Sequence, residues 1–94
     1  MICENLSVND AGTLLFAGQD VTRLLKEYGS PLYLMDEDRI RANCRVYRQA
    51  METAFGGAAR VLYASKAASF KAIYSIMKEE GLGIDVVSCG EIFT

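Results

Sequence analysis

In Arg60-Val61-Leu62-Tyr63-Ala64-Ser65-Lys66-Ala67-Ala68-Ser69 the apolar stretch from Val61 to Ala68 is broken by Lys66, and its reading decides the fold. Arg60 to Ser65 has the length and content of a strand and stops abruptly at Lys66. From Ser69 a helical pattern begins, with Phe70, Ile73, Tyr74, Ile76 and Met77 forming a broad apolar face that Lys78-Glu79-Glu80-Gly81 closes. Ile84 to Val87 predicts a second strand, and Ser88-Cys89-Gly90-Glu91 the opening of one more helix. Strand, helix, strand and helix start, joined by short connections, are the signature of parallel βαβ units. Right-handed crossovers of this kind build either an open doubly wound sheet or a closed (β/α)8 barrel, and the spacing leaves both open. Two βα units close neither. The expectation is therefore an opening segment of a longer protein, since a barrel takes about 250 residues.

The preceding residues read as further short elements. Ile40, Cys44, Tyr47, Met51 and Phe55 recur every three or four residues, predicting the longest helix, with Asp36 as N-cap, Glu37 and Asp38 in the first turn and Gly56-Gly57 as the stop. Arg39, Arg41, Arg45, Arg48 and Glu52 fall on its other faces and read as a solvated, salt-bridged surface. Pro31 to Met35 reads as a strand with Pro at its first position. Before it, Asp20 caps a helix whose apolar face is Val21, Leu24, Leu25 and Tyr28, stopped by Gly29. Gly12 to Gly18 reads as a short glycine-bounded strand.

Composition narrows the function classes. Of 94 residues, 51% are hydrophobic, enough for one modest core but marginal unless a partner or more chain completes it. Ten basic against twelve acidic residues give a net charge of -2, which disfavours a basic nucleic-acid surface. The apolar runs fall far short of the roughly 20 residues that cross a bilayer, and Glu4 stands where a secretion signal would be basic. Cys3, Cys44 and Cys89 are odd in number and widely spaced, fitting neither a disulfide framework nor a zinc site, so a reducing cytoplasm is the expected location.

Lys66 is the residue whose setting suggests chemistry. Apolar neighbours on both sides would strip water from its ammonium, which favours the neutral, nucleophilic amine that forms Schiff bases with aldehydes. A lysine snorkelling from a strand end into solvent is the competing reading.

Tyr63-Ala64-Ser65-Lys66-Ala67, preceded by Pro31-Leu32-Tyr33-Leu34-Met35-Asp36 and followed by Gly81-Leu82-Gly83-Ile84-Asp85-Val86-Val87-Ser88-Cys89-Gly90-Glu91, resembles the fold type III pyridoxal-phosphate decarboxylases in their diaminopimelate decarboxylase branch. Three blocks in order and spacing cover about two thirds of the chain, which is more specific than any one of them. The resemblance implies an α/β fold: the start of a (β/α)8 TIM barrel of the alanine racemase-like type from Asp36 onward. Residues 1–35 would then contribute to a separate β domain. It implies decarboxylation of meso-diaminopimelate to L-lysine and carbon dioxide, the last step of bacterial lysine synthesis, by a homodimer with its active sites at the subunit interface.

The same resemblance gives Lys66 the Schiff base to pyridoxal 5'-phosphate. It places Asp85 near that link, where a carboxylate would orient Lys66; capping the helix that begins near Ser88 is the competing role for Asp85. Ala64, on the same strand face as Lys66 by alternation, would leave room for the flat ring, with core packing as its alternative. Tyr63 and Ser65 would face the surrounding helices as structural residues. Glu91 matches a family acid near the active site, yet its place in the first turn of a helix favours a simple dipole role. Cys89 departs from the expected glycine; a thiol at a helix start is a candidate for reactivity, but nothing nearby supports catalysis and it reads as a tolerated small residue. With no histidine, the 94 residues lack the imidazole that stacks on the ring in this family, so the segment alone is expected to be inactive. The competing functions are a related decarboxylase acting on ornithine, arginine or carboxynorspermidine, and a non-catalytic homologue serving as an interaction protein; retention of Lys66 speaks against the latter.

Overall fold

Three short antiparallel strands open the computed structural model, which describes residues 3–94. Leu6–Val8 (β1) pairs with Leu14–Phe16 (β2), which pairs with Gln19–Asp20 (β3). The first turn is built by Asn9, whose side-chain oxygen accepts from the Ala11 and Thr13 backbone N–H groups at 3.1 and 2.9 Å. This is the local bonding that makes Asn a turn former. The second turn is the two-residue Ala17-Gly18, both at positive φ (47° and 77°), the geometry that matches the twist of a tight hairpin. β1 and β3 have no counterpart in the sequence reading, because neither has the glycines on both sides that mark β2 nor the apolar runs that mark the later strands.

Val21–Tyr28 (α1) starts where expected. The Asp20 carboxylate accepts from Thr22 N–H at 2.8 Å and Arg23 N–H at 3.2 Å, satisfying two of the donors a helix start leaves over. Pro31 to Met35 is a correction: residues 32–36 belong to no strand, and Tyr33 is 94% exposed. The run has a strand's composition, but a strand needs a partner in hydrogen-bonding register and none stands beside it among the described residues. Asp36 then caps Glu37–Phe55 (α2), accepting from Arg39 N–H at 3.3 Å.

The expected crossover follows. Leu62–Ala64 (β4) leads through a single 3₁₀ turn, Ser65–Ala67, to Lys71–Glu79 (α3), then Gly83–Asp85 (β5) and Cys89–Phe93 (α4). β4 and β5 are parallel, with Leu62, Tyr63 and Ala64 opposite Gly83, Ile84 and Asp85. α3 ends in a Schellman motif: Gly81 N–H bonds to the Lys78 carbonyl at 3.1 Å and Leu82 N–H to that of Met77 at 2.8 Å, with Gly81 at φ 78°.

Two compact units make up the chain, Met1–Arg39 and Ile40–Thr94. In the first, no described residue is fully buried, and Val8, Leu14, Leu25 and Tyr28 are exposed apolar side chains. In the second, Cys44 from α2, Ile73, Ile76 and Met77 from α3, and Leu82 form the core, with Ile40, Val61, Tyr63 and Ile84 packed around it. Burying each of the larger side chains contributes about 1.5–3 kcal/mol. The Cys44 sulfur lies 3.6 Å from that of Met77, and burial, with the nearby Glu80 charge, pushes its thiol pKa up, so it behaves as a small hydrophobe. Among the described residues no helix is long and apolar enough to cross a membrane.

The arginines of α2 form the salt-bridged face expected of them, but their partners lie on other elements instead of along the helix. Glu80, just past α3, is only 6% exposed. It takes a two-pronged contact from Arg45, at 2.9 and 2.8 Å, and a third from Arg41 at 3.2 Å. Arg48 donates to the Glu80 backbone carbonyl at 3.0 Å and Arg41 also reaches Glu79 at 2.6 Å. The pairs run between helices, not along one.

Candidate active site

In a parallel β pair all carboxyl ends lie on one side, and here that side gathers Lys66, Asp85 and Glu91. Ala64 is the last residue of β4 and lies in register with Asp85, the last residue of β5, so the backbone two residues before Lys66 stands next to the backbone of Asp85. The sequence placed these two strand ends side by side correctly.

The link from Ala64 to Lys66 is different from that expected. Lys66 is not in the strand; it occupies the middle of the Ser65–Ala67 turn, so strand alternation does not carry it to the Ala64 face. Lys66 is also exposed, so the described residues do not supply the desolvation that its apolar neighbours suggested. Ala64 is half-buried and borders an apolar groove of about 400 Å³ between α2 and β4, with Ile40, Tyr47 and Leu62 among its other walls. Asp85 does not cap α4. Ser88 does, its Oγ accepting from Glu91 N–H at 3.2 Å, which leaves the exposed Asp85 carboxylate outside the capping.

The turn carrying Lys66 is held on both flanks. The Tyr63 hydroxyl donates to the Ala68 carbonyl at 3.0 Å, closing a loop around residues 64–67, and its burial pushes the phenol pKa up. Ser65, with 0% of its surface exposed, donates its hydroxyl to Oε1 of Glu91. Glu91 is itself buried, and its Oε2 accepts from the Ser88 hydroxyl at 2.7 Å and the Val87 N–H at 3.2 Å. Donation by Ser65, then Ser88 and the nearby backbone, holds the Glu91 carboxyl below the usual carboxylate range despite its burial. The dipole role expected of Glu91 therefore describes only part of what it does. Ser88-x-x-Glu91 is a capping-box spacing that a closer reading of the sequence would have flagged; the tie to Ser65, 26 residues earlier, leaves no local signal. Cys89 is exposed at the first position of α4.

A lysine on a pinned turn at the carboxyl end of a parallel strand, beside a second strand end bearing a carboxylate, lies on the side where α/β folds carry their reactive side chains. The chain belongs to the pyridoxal-dependent decarboxylases: residues 37–94 match the pyridoxal binding domain of that family. It is 45% identical over 87 residues to diaminopimelate decarboxylase of Synechocystis and 48% identical over 92 residues to that of Methanothermobacter thermautotrophicus, matches covering 93% and 96% of this chain. The crystal structure of diaminopimelate decarboxylase from M. jannaschii in complex with L-lysine superposes with a TM-score of 0.81 at 31% identity over 96% of this chain. The chain spans about a fifth of the length of each of these relatives (19% to 21%).

Proposed function

We propose that the protein containing this chain decarboxylates meso-diaminopimelate to L-lysine with pyridoxal 5'-phosphate held at Lys66. The single observation that carries this reading is the placement of Lys66, on an exposed and doubly anchored turn at the carboxyl end of β4, in a chain 39% to 48% identical to diaminopimelate decarboxylases. The residues present fit the cofactor: a primary amine at Lys66 open to an incoming aldehyde, and a carboxylate at Asp85 on the adjoining strand end. When bound, pyridoxal phosphate supplies an electron sink for the pair left behind as carbon dioxide departs. Lys66 would hold the group through its side-chain amine. Asp85, on the adjoining strand end, would orient the Lys66 side chain.

In this reading residues 36–94 are the first βα units of a (β/α)8 barrel of the alanine racemase-like type, supported by the parallel β4–β5 pair and its helical crossover. Residues 1–35 belong to a separate β domain, supported by the antiparallel meander and by the exposed apolar side chains that more sheet would cover. The working protein is a cytoplasmic homodimer with its active site at the interface. Carbon dioxide release from meso-diaminopimelate, with ornithine, arginine and carboxynorspermidine as competing substrates, tests the assignment. Release from meso-diaminopimelate in preference to the others is the expected result; preference for one of the others refutes the substrate, and no release from any of them refutes the enzyme. The isolated segment 1–94 is expected to release none.

A further inference from the structure

We propose that Glu91 is a positioning residue for Lys66, acting through Ser65: its Oε1 holds the buried Ser65 hydroxyl and so fixes the turn on which the next residue, Lys66, is carried. This rests on the assignment of Lys66 as the cofactor lysine. A single 3₁₀ turn has poor internal hydrogen bonding, and this one has no side-chain cap at its start, so its place is set by ties from outside. One is Tyr63 to the Ala68 carbonyl; the other is Ser65 to Glu91.

The two oxygens of Glu91 divide the work. Oε2 serves the start of α4, where Ser88 and the Val87 N–H meet it. Helix capping accounts for that oxygen alone. Oε1 is turned to Ser65, across 26 residues of sequence, and Ser65 is more deeply buried than any other described residue. Capping asks for none of this, and a carboxylate that served only the helix dipole would lie in water instead of being buried. Because consecutive Cα atoms are a fixed ~3.8 Å apart, whatever holds Ser65 holds Lys66 as well. Glu91 thereby ties the turn after β4 to the helix after β5, and keeps Lys66 and Asp85 in a constant relation.

The test uses Glu91→Gln, Ser65→Ala, the double variant and, as a control, Ser88→Ala, which removes the helix cap and the Ser88 bond to Oε2 but leaves the Ser65 bond to Oε1. Two quantities are read: the rate at which Lys66 captures pyridoxal phosphate, and the circular-dichroism band of the bound cofactor per mole bound, which loss of stability alone does not move. Glu91→Gln and Ser65→Ala are each expected to slow capture on the order of tenfold and to change the band, with the double variant no worse than either single one. Ser88→Ala is expected to keep the unsubstituted band. Amide hydrogen exchange at residues 65–67 without cofactor should quicken in Glu91→Gln and Ser65→Ala and not in Ser88→Ala. An unchanged rate and band in Glu91→Gln, or the same changes in Ser88→Ala, overturns the proposal. If the unsubstituted protein captures no cofactor at Lys66, the cofactor assignment fails, and unchanged exchange at 65–67 in Glu91→Gln would sink the hold of Glu91 on the turn as well.

Discussion

The two ends of the β4–β5 pair each bury a glutamate, and they do it by opposite means. Before β5, Glu80 sits among guanidinium groups from α2: charge meets charge, and the contact clamps one helix to another. After β5, Glu91 is held by two hydroxyls and one backbone N–H, with no ion pair to it among the described contacts. Full positive charges are long, mobile side chains suited to holding bulk together. Short hydroxyls fix a carboxylate in one place and add no competing cation beside the lysine proposed to hold the cofactor. In parallel α/β architectures the amino-terminal side of the strands serves stability and the carboxyl-terminal side serves chemistry, and on the proposed assignment of Lys66 the two glutamates follow that division.

The largest effect that separates the ends is expected beneath Glu80. Met77→Ala, at a position only 2% exposed, should cost roughly 2–5 kcal/mol in urea unfolding and leave the band of the bound cofactor unaltered per mole bound. A change in that band would break the division. Gly81→Ala forces a Cβ into left-handed backbone at the end of α3 and should cost about 1–2 kcal/mol in the same measurement.

Acid should sharpen the contrast. Both carboxyls are held below the ordinary 4.5, Glu80 chiefly by Arg45 and Glu91 chiefly by Ser65. A lowered pKa in the folded state means the stabilisation is complete above the unfolded value near 4.5 and is lost as pH falls through the lower folded values. Urea midpoints should therefore be flat above that pH and decline below it. Raising salt should weaken the Glu80 share, because ion pairs are screened, and spare the Glu91 share, whose donors are neutral. Glu80→Gln should remove most of the salt dependence; if it does not, the clamp is not electrostatic. The smallest effect is a reactivity difference without an energetic cost. Exposed Cys3 and Cys89 should react with a thiol reagent in the folded protein, and buried Cys44 only on unfolding.

What could be read from the sequence follows from how local each signal is. Asp20, Asp36 and Ser88 announce helix starts within a few residues, and the spacing of Ile73, Ile76 and Met77 announces a buried face, so the four helices and the crossover were legible. The ends of β4 and β5 could be placed side by side because consecutive strands joined by a short helical crossover commonly pair. Pro31 to Met35 misled because composition resembles a strand where pairing is absent. A three-residue turn has no pattern of its own, so the sequence alone puts Lys66 directly after the strand. The partners of Glu80 and of Ser65 lie 26 to 39 residues away, and such contacts exist only after the helices have packed.

Borohydride reduction of the protein incubated with pyridoxal phosphate, followed by peptide mass mapping, tests the central claim most directly. The account predicts a pyridoxyl mass on the peptide containing Lys66 and its loss in Lys66→Ala. Label spread over Lys71 and Lys78, or label that survives Lys66→Ala, would contradict it.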